Sequence, residues 1–191
     1  MDLFARKIHN VDNKELAEQL YPVCRKILDQ TEYDNRYLFG KTTFWQNNLV
    51  KENLNEFKNF FKFVETQSII YLNELDIDVE DKKLIIKDFW VSEMYKGGCH
   101  SLHNHSPSSH ISGNFYVYAE PKSSTITFVR DGLSDFKYDL KKKKYTKYNS
   151  LEWSFEPTAG KMLIWESDLL HRVDQNISNS RIAITFNIKI T

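Results

Sequence analysis

Four of the six histidines in this 191-residue chain crowd into one stretch, Cys99-His100-Ser101-Leu102-His103-Asn104-His105-Ser106-Pro107-Ser108-Ser109-His110. His103 and His105 stand two apart, and on an extended backbone residues i and i+2 project from one face. Their imidazoles can therefore aim at a common point. Neutral imidazole is a ligand for Fe(II), Zn(II), Cu(II) or Ni(II). A third donor has to come from elsewhere, and His171 is the distant histidine in the same half of the chain. Taken alone, an H-x-H pair reads equally well as two exposed or hydrogen-bonded histidines beside a turn. His100 and His110 then stand behind the ligands, face substrate or lie exposed, and His9 sits on the surface of the N-terminal tail.

The elements that would position these residues change character near residue 80. Before it the apolar spacing is helical. Asp12 or Asn13 can cap a helix through Leu16, Leu20, Val23, Ile27 and Leu28, with a kink or break expected at Pro22. A longer amphipathic helix is predicted from Leu54 through Phe57, Phe60, Phe61, Val64, Ile69 and Leu72. Between them, a loop at Gly40–Thr43 leads to an extended piece at Thr43–Trp45. After residue 80, runs rich in β-branched and aromatic residues fall at Leu84–Tyr95, Asn114–Ala119, Thr125–Arg130, Leu151–Phe155, Lys161–Trp165 and Arg181–Ile190. Short strands separated by Gly, Pro, Asn, Asp and Ser predict a sandwich or barrel with helices at the N-terminal end. The lysine run 141–144 is expected at a solvated hairpin tip or edge. Trp90, Trp165 and Phe186 are expected in the core.

The C-terminal third carries a more specific pattern. It reads Glu156-Pro157-Thr158-Ala159-Gly160-Lys161-Met162-Leu163-Ile164-Trp165, then Leu170-His171-Arg172-Val173, then Arg181-Ile182-Ala183-Ile184-Thr185-Phe186-Asn187. Upstream stand His103-x-His105 and Ser112-Gly113-Asn114-Phe115-Tyr116-Val117. Together these resemble the Fe(II)/2-oxoglutarate-dependent oxygenase superfamily, and within it a group of small oxygenases with the pattern H-x-H-P-x-S, S-G-x-Y-Y-V, P-x-x-G, a distal His and R-I-x-I-x-F-N. The resemblance spans roughly residues 85 to 190. It implies a double-stranded β-helix, the jelly roll shared with cupins, with Fe(II) and 2-oxoglutarate as cofactor and cosubstrate. It implies His103 and His171 as metal ligands, Arg181 as partner of the cosubstrate's C5 carboxylate, and Thr185 and Tyr116 as assisting hydroxyls. Tyr95 matches a further active-site tyrosine of the prolyl-hydroxylase branch.

One position departs from the superfamily's usual pattern. Where most members carry H-x-D or H-x-E, this chain has His105. A carboxylate would lower the charge on the metal, whereas three imidazoles leave it to the cosubstrate. The expected catalytic and metal set is thus His103, His105 and His171, with His105 turned away as the alternative. Asp168 and Glu166 lie near His171 and are weighed as substitute donors. The implied reaction decarboxylates 2-oxoglutarate to succinate and hydroxylates an unidentified substrate. Two other readings stay open: a tri-histidine cupin-like dioxygenase without 2-oxoglutarate, and a non-catalytic jelly-roll module with a metal site.

Composition bounds the rest. The chain length suits one domain, with residues 1–80 a helical part packed on the sheet and 81–191 the β core. Lys plus Arg and Asp plus Glu each number 26, so formal net charge is zero. No global field draws in nucleic acid or an anionic membrane, and a small molecule or a peptide is the expected substrate. No apolar run approaches the roughly 18–20 residues that span a bilayer. The N-terminus lacks a signal-peptide stretch, and Cys24 and Cys99 are too far apart in sequence to form a ligand pair. Free thiols suit a reducing compartment, so the expectation is a cytoplasmic protein. The N-terminal helices are expected to cover the outer sheet or to form a homodimer face.

Overall fold

The computed structural model describes residues 6–46, 48–130 and 141–191. In chain order the elements are β1 (His9–Asp12), α1 (Lys14–Gln30), β2 (Gly40–Thr42), α2 (Asn48–Glu52), a 3-10 turn (Leu54–Phe57) and α3 (Lys58–Glu74). Eight strands follow: β3 (Leu84–Met94), β4 (His100–His103), β5 (Ile111–Ala119), β6 (Ile126–Val129), β7 (Glu152–Phe155), β8 (Lys161–Glu166), β9 (His171–Val173) and β10 (Arg181–Ile190). They form two antiparallel sheets, one of six strands in the order β1-β8-β5-β10-β3-β2 and one of four in the order β4-β9-β6-β7. From β3 to β10 the chain crosses between the sheets at every step except the β6–β7 connection. That winding makes a double-stranded β-helix.

Alternation along β10 shows how the sheet serves two cores. Ile182, Ile184, Phe186 and Ile188 are fully buried in the larger cluster, against Phe57, Phe60, Val64 and Phe115. The intervening Arg181, Ala183, Thr185 and Asn187 face a cavity between the sheets. A smaller cluster of Tyr116, Ile126, Phe128, Leu163, Trp165, Leu169 and Ala183 fills the closed end of that space. Phe60 meets Phe115 and Phe186 at ring distances of 5.8 and 5.9 Å, so α3 seats against the outer face of β5 and β10. Gly113 lies opposite Phe186 in register. A Cβ there would stand 2.1 Å from the Phe186 ring, so this position admits only hydrogen.

α1 has Asn13 as its cap, whose side chain accepts from the Leu16 N–H at 3.0 Å. The helix runs on through Pro22. That residue lies on the exposed side, where water can reach the carbonyl the proline leaves unpaired. α1 is also tied to the sheet by an ion pair. Arg25 donates to the buried Glu93 of β3 at 2.6 Å, and Ser180 donates to the same oxygen at 2.6 Å.

Several boundaries differ from the sequence expectation. The predicted long helix begins as a 3-10 turn, and α3 proper starts at Lys58. The extended piece falls at Gly40–Thr42, not Thr43–Trp45. Thr43 closes the pairing instead, its N–H donating to Val91 O at 2.9 Å and its hydroxyl accepting from Val91 N–H at 3.0 Å. β1, β4 and β9 hold three or four residues each, too few to show a period. Lysines 141–144 lie in the β6–β7 connection, part of which is outside the described residues. Among the described residues, no helix is long and apolar enough to cross a membrane.

Candidate active site

β4 and β9 pair so that His103 and His171 stand directly opposite one another. His105 follows two residues beyond β4, its N–H donating to Ser167 O at 2.7 Å. The three side chains converge: one nitrogen from each lies within 4.8 Å of the others.

The hydrogen bonds decide which nitrogens converge. His103 Nδ1 lies 2.7 Å from Ser101 O, and His171 Nδ1 lies 2.9 Å from Leu169 O. His105 Nδ1 lies 2.7 Å from Asn187 Oδ1. Carbonyl oxygens only accept, so each Nδ1 carries the proton and donates. The three Nε2 lone pairs are then left for a common ligand. Burial reinforces neutrality. It pushes His171 down to about 3 and lowers His105 against the opposing Asn187 bond. It also pushes His100, whose ring lies 6.1 Å from that of His103, down to about 4. Three imidazoles at this spacing fit a borderline divalent metal.

The same cavity, about 960 Å³, contains Arg181. Its side chain is 4% exposed and donates to the Tyr116 hydroxyl at 3.2 Å, with the guanidinium 4.8 Å from that ring's centre. Its Nε has no partner, and no carboxylate among the described residues pairs with it. A buried guanidinium without a counter-ion is costly, so the pocket is built for an anion. Thr185 lines the cavity four residues along the same strand face, donating to Asn114 Oδ1 at 3.1 Å.

Tyr95 is not brought to this place. Its ring lies beside Glu93, Arg25 and Asp29 on the α1 side of the sheet, opposite the face that carries Ser92 and Met94. The tyrosine that does enter is Tyr37, which precedes β2. It is buried, bonded to Ser92, within the field of Arg181, and edge-on to His100 at 5.2 Å. Burial raises its phenol above the ordinary value. Tyr37 sits in a turn with no periodicity, so neither spacing nor motif singles it out.

Other expectations are also redistributed. Asp168 and Glu166 are spent on Arg6 in exposed pairs at 2.8 Å each, away from the histidines. His110 accepts from Ile190 N–H at 2.9 Å, and His9, expected on the surface of a tail, lies in β1 with its side chain only 11% exposed, against Glu74 and Gln67 of α3. Phe186 and Trp165 are buried, the latter with its ring 5.0 Å from that of His171. Trp90 is only half-buried and lines the cavity, 6.2 Å from the His105 ring. It joins Phe44, which sits edge-on to it at 5.0 Å and to Trp45 at 5.2 Å, with Arg36 stacked 4.2 Å over Trp45. These rings form the outer wall, and Phe44 and Trp45 are 46% and 41% exposed.

A 2OG-Fe(II) oxygenase family model matches residues 88–187, more than half of the chain. The chain belongs to the 2OG-Fe(II) oxygenase family. Fe(II) and 2-oxoglutarate are the cofactors of that family, and the histidine triad and the unpaired Arg181 fit them. Solved oxygenases share the fold at low identity. A prolyl-4-hydroxylase from Pseudomonas putida aligns with TM-score 0.62 and 13% identity, over 96% of this chain and 92% of that one. A 2OG-Fe(II) oxygenase family oxidoreductase from Burkholderia pseudomallei aligns with TM-score 0.65 and 9% identity, over 95% and 84%. HygX from Streptomyces hygroscopicus, solved with nickel and 2-oxoglutarate bound, aligns with TM-score 0.61 and 8% identity, over 97% and 83%. No curated protein sequence matches the chain.

Proposed function

We propose that this oxygenase is a 2-oxoglutarate-dependent hydroxylase in which His103, His105 and His171 hold Fe(II) and Arg181 holds the C5 carboxylate of the cosubstrate. The observation that carries the reading is the buried, unpaired Arg181 guanidinium facing the cavity where three Nε2 lone pairs converge. An arginine offers a planar fork of donors that suits a carboxylate. Tyr116 and Tyr37 flank that fork with hydroxyls, and Thr185 lines the same cavity further along β10. A tri-histidine dioxygenase that dispensed with 2-oxoglutarate would have no use for such an anchor.

When bound, Fe(II) with 2-oxoglutarate supplies the oxidising power: dioxygen, cosubstrate and a substrate C–H yield succinate, carbon dioxide and C–OH. The protein's residues position and exclude. The histidines fix the metal at the end of β4 and β9, and Arg181 sets the direction of the cosubstrate from β10. Trp165, Phe128 and Ile126 keep the closed end dry. The substrate enters by the wall of Phe44, Trp45 and Trp90, which suits an apolar or flat body on a small molecule or a peptide side chain.

The reading is tested by thermal unfolding with Fe(II) under anaerobic conditions, with and without 2-oxoglutarate. A ligand that binds only the folded state stabilises it by about 2.7 kcal/mol at a hundredfold excess over Kd. Wild type should melt higher with 2-oxoglutarate, and Arg181→Leu should not respond. Equal stabilisation of both proteins would refute the carboxylate anchor. Hydroxylation itself is read as incorporation of one labelled oxygen atom from dioxygen into product, coupled to succinate release.

A further inference from the structure

We propose that Asn187, held by Ser112, is the positioning residue that makes His105 a metal donor. This rests on the tri-histidine site proposed above. His103 and His171 sit on paired strands, and their Nδ1 groups donate to carbonyls two residues away in their own segments. Their ring orientations are thus set locally. His105 has no such support. It lies past the end of β4, and its Nδ1 donates to a side chain 82 residues further along, on β10.

That side chain is itself fixed. Ser112 Oγ donates to the same Asn187 Oδ1 at 2.8 Å and lies 3.0 Å from His105 Nδ1. Ser112 continues to Ser167 at 2.8 Å, and Ser167 to Ser109 at 2.9 Å. The three serines and Asn187 are all buried. The His105 backbone is gripped as well, its N–H by Ser167 O at 2.7 Å and its carbonyl by Ser108 Oγ at 2.7 Å. A buried polar network is costly unless its members satisfy one another, so its presence at one ligand and not the others marks a specific demand.

The demand follows from ligand chemistry. A carboxylate draws a cation by charge and offers two oxygens with several lone pairs, so it tolerates rotation. A neutral imidazole offers one lone pair in the ring plane and must be aimed. Asn187 does this in two ways: its oxygen fixes the ring's rotation, and by accepting from Nδ1 it leaves Nε2 unprotonated. Asn187 therefore lets a histidine occupy a place where most of the superfamily has an acid.

The test is titration with Co(II) alone, read by affinity and by the visible d–d spectrum, without turnover. Asn187→Leu is expected to bind about 10–100-fold more weakly, with a spectrum shifted toward that of His105→Ala. Asn187→Asp, which keeps an acceptor at the same place, should restore wild-type binding. Ser112→Ala should fall between and carries the test if Asn187→Leu fails to fold. Ser123→Ala breaks a buried serine pair of the same kind, with Ser178 at 2.8 Å, outside this network and should bind as wild type. Wild-type affinity and spectrum in Asn187→Leu and Ser112→Ala, with His105→Ala altered, would overturn the positioning role and leave the triad standing. No change in His105→Ala would overturn the triad, and this inference with it.

Discussion

An imidazole presents a single lone pair, so three of them meet at one point only when their protons are directed elsewhere. Here two backbone carbonyls and one asparagine take those protons. The three histidines could be chosen from the chain by spacing and by resemblance, because chemistry-bearing residue types at i and i+2 are visible without a fold. Their orienting partners could not, since Asn187 and Ser112 become neighbours of His105 only through sheet pairing. Tyr37 shows the same limit more sharply. The resemblance points to Tyr95, yet strand parity places that ring on the α1 side, and the tyrosine that lines the cavity beside Arg181 is Tyr37, from a turn in the N-terminal part. Tyr37→Phe should weaken 2-oxoglutarate binding about tenfold, the loss of one hydrogen bond to a charged acceptor. The same assay on Tyr95→Phe should show no change. Equal losses in both would mean that the tyrosine had been assigned to the wrong face.

At the scale of elements, β10 does most of the positioning. One face carries Ile182, Ile184, Phe186 and Ile188 into the helix-covered core, and the other carries Arg181, Thr185 and Asn187 into the cavity. Such a two-sided strand was legible as an apolar and polar alternation, and its bounds, Arg181–Ile190, agree with the pattern. The strands that hold the histidines were not legible, because three or four residues give too few alternations for a period to register. The dependence of β10 on its neighbour yields a prediction. Gly113→Ala places a methyl against the Phe186 ring at a distance no packing tolerates. Overpacking of this kind costs typically about 1–3 kcal/mol. The urea midpoint of Gly113→Ala should therefore fall, and the double variant Gly113→Ala with Phe186→Leu should recover part of the loss. A midpoint unchanged in Gly113→Ala would show that Phe186 does not pack closely over Gly113.

At the scale of the whole molecule, the jelly roll gathers four histidines around one cavity between its sheets. Burial holds His171 at about 3 and His100 at about 4, against 6.5 for the free side chain. Unfolding returns both to the ordinary value, so between pH 6.5 and about 4 the unfolded chain binds protons that the folded chain refuses. Stability of the metal-free protein therefore rises with pH through that window and is lost on acidification. Urea midpoints of chelated protein should decline steadily from pH 6.5 toward 4, and a flat profile would contradict the burial of these rings. Fold class was readable from the strand-rich second half, while the cavity's outer wall was not. Trp90 was expected in the core as an aromatic strand residue, but only the three-dimensional arrangement shows that its neighbours Phe44 and Trp45 hold it at the rim.

If the function proposed above holds, the triad and Arg181 bind iron and 2-oxoglutarate in one cavity. The most direct measurement is the visible absorption of the anaerobic protein with Fe(II) and 2-oxoglutarate, made on wild type, His171→Ala and Arg181→Ala. Wild type should show a weak metal-to-ligand charge-transfer band that is lost in both variants. Iron bound without that band in wild type, or a band that survives in Arg181→Ala at equal cosubstrate concentration, would contradict it.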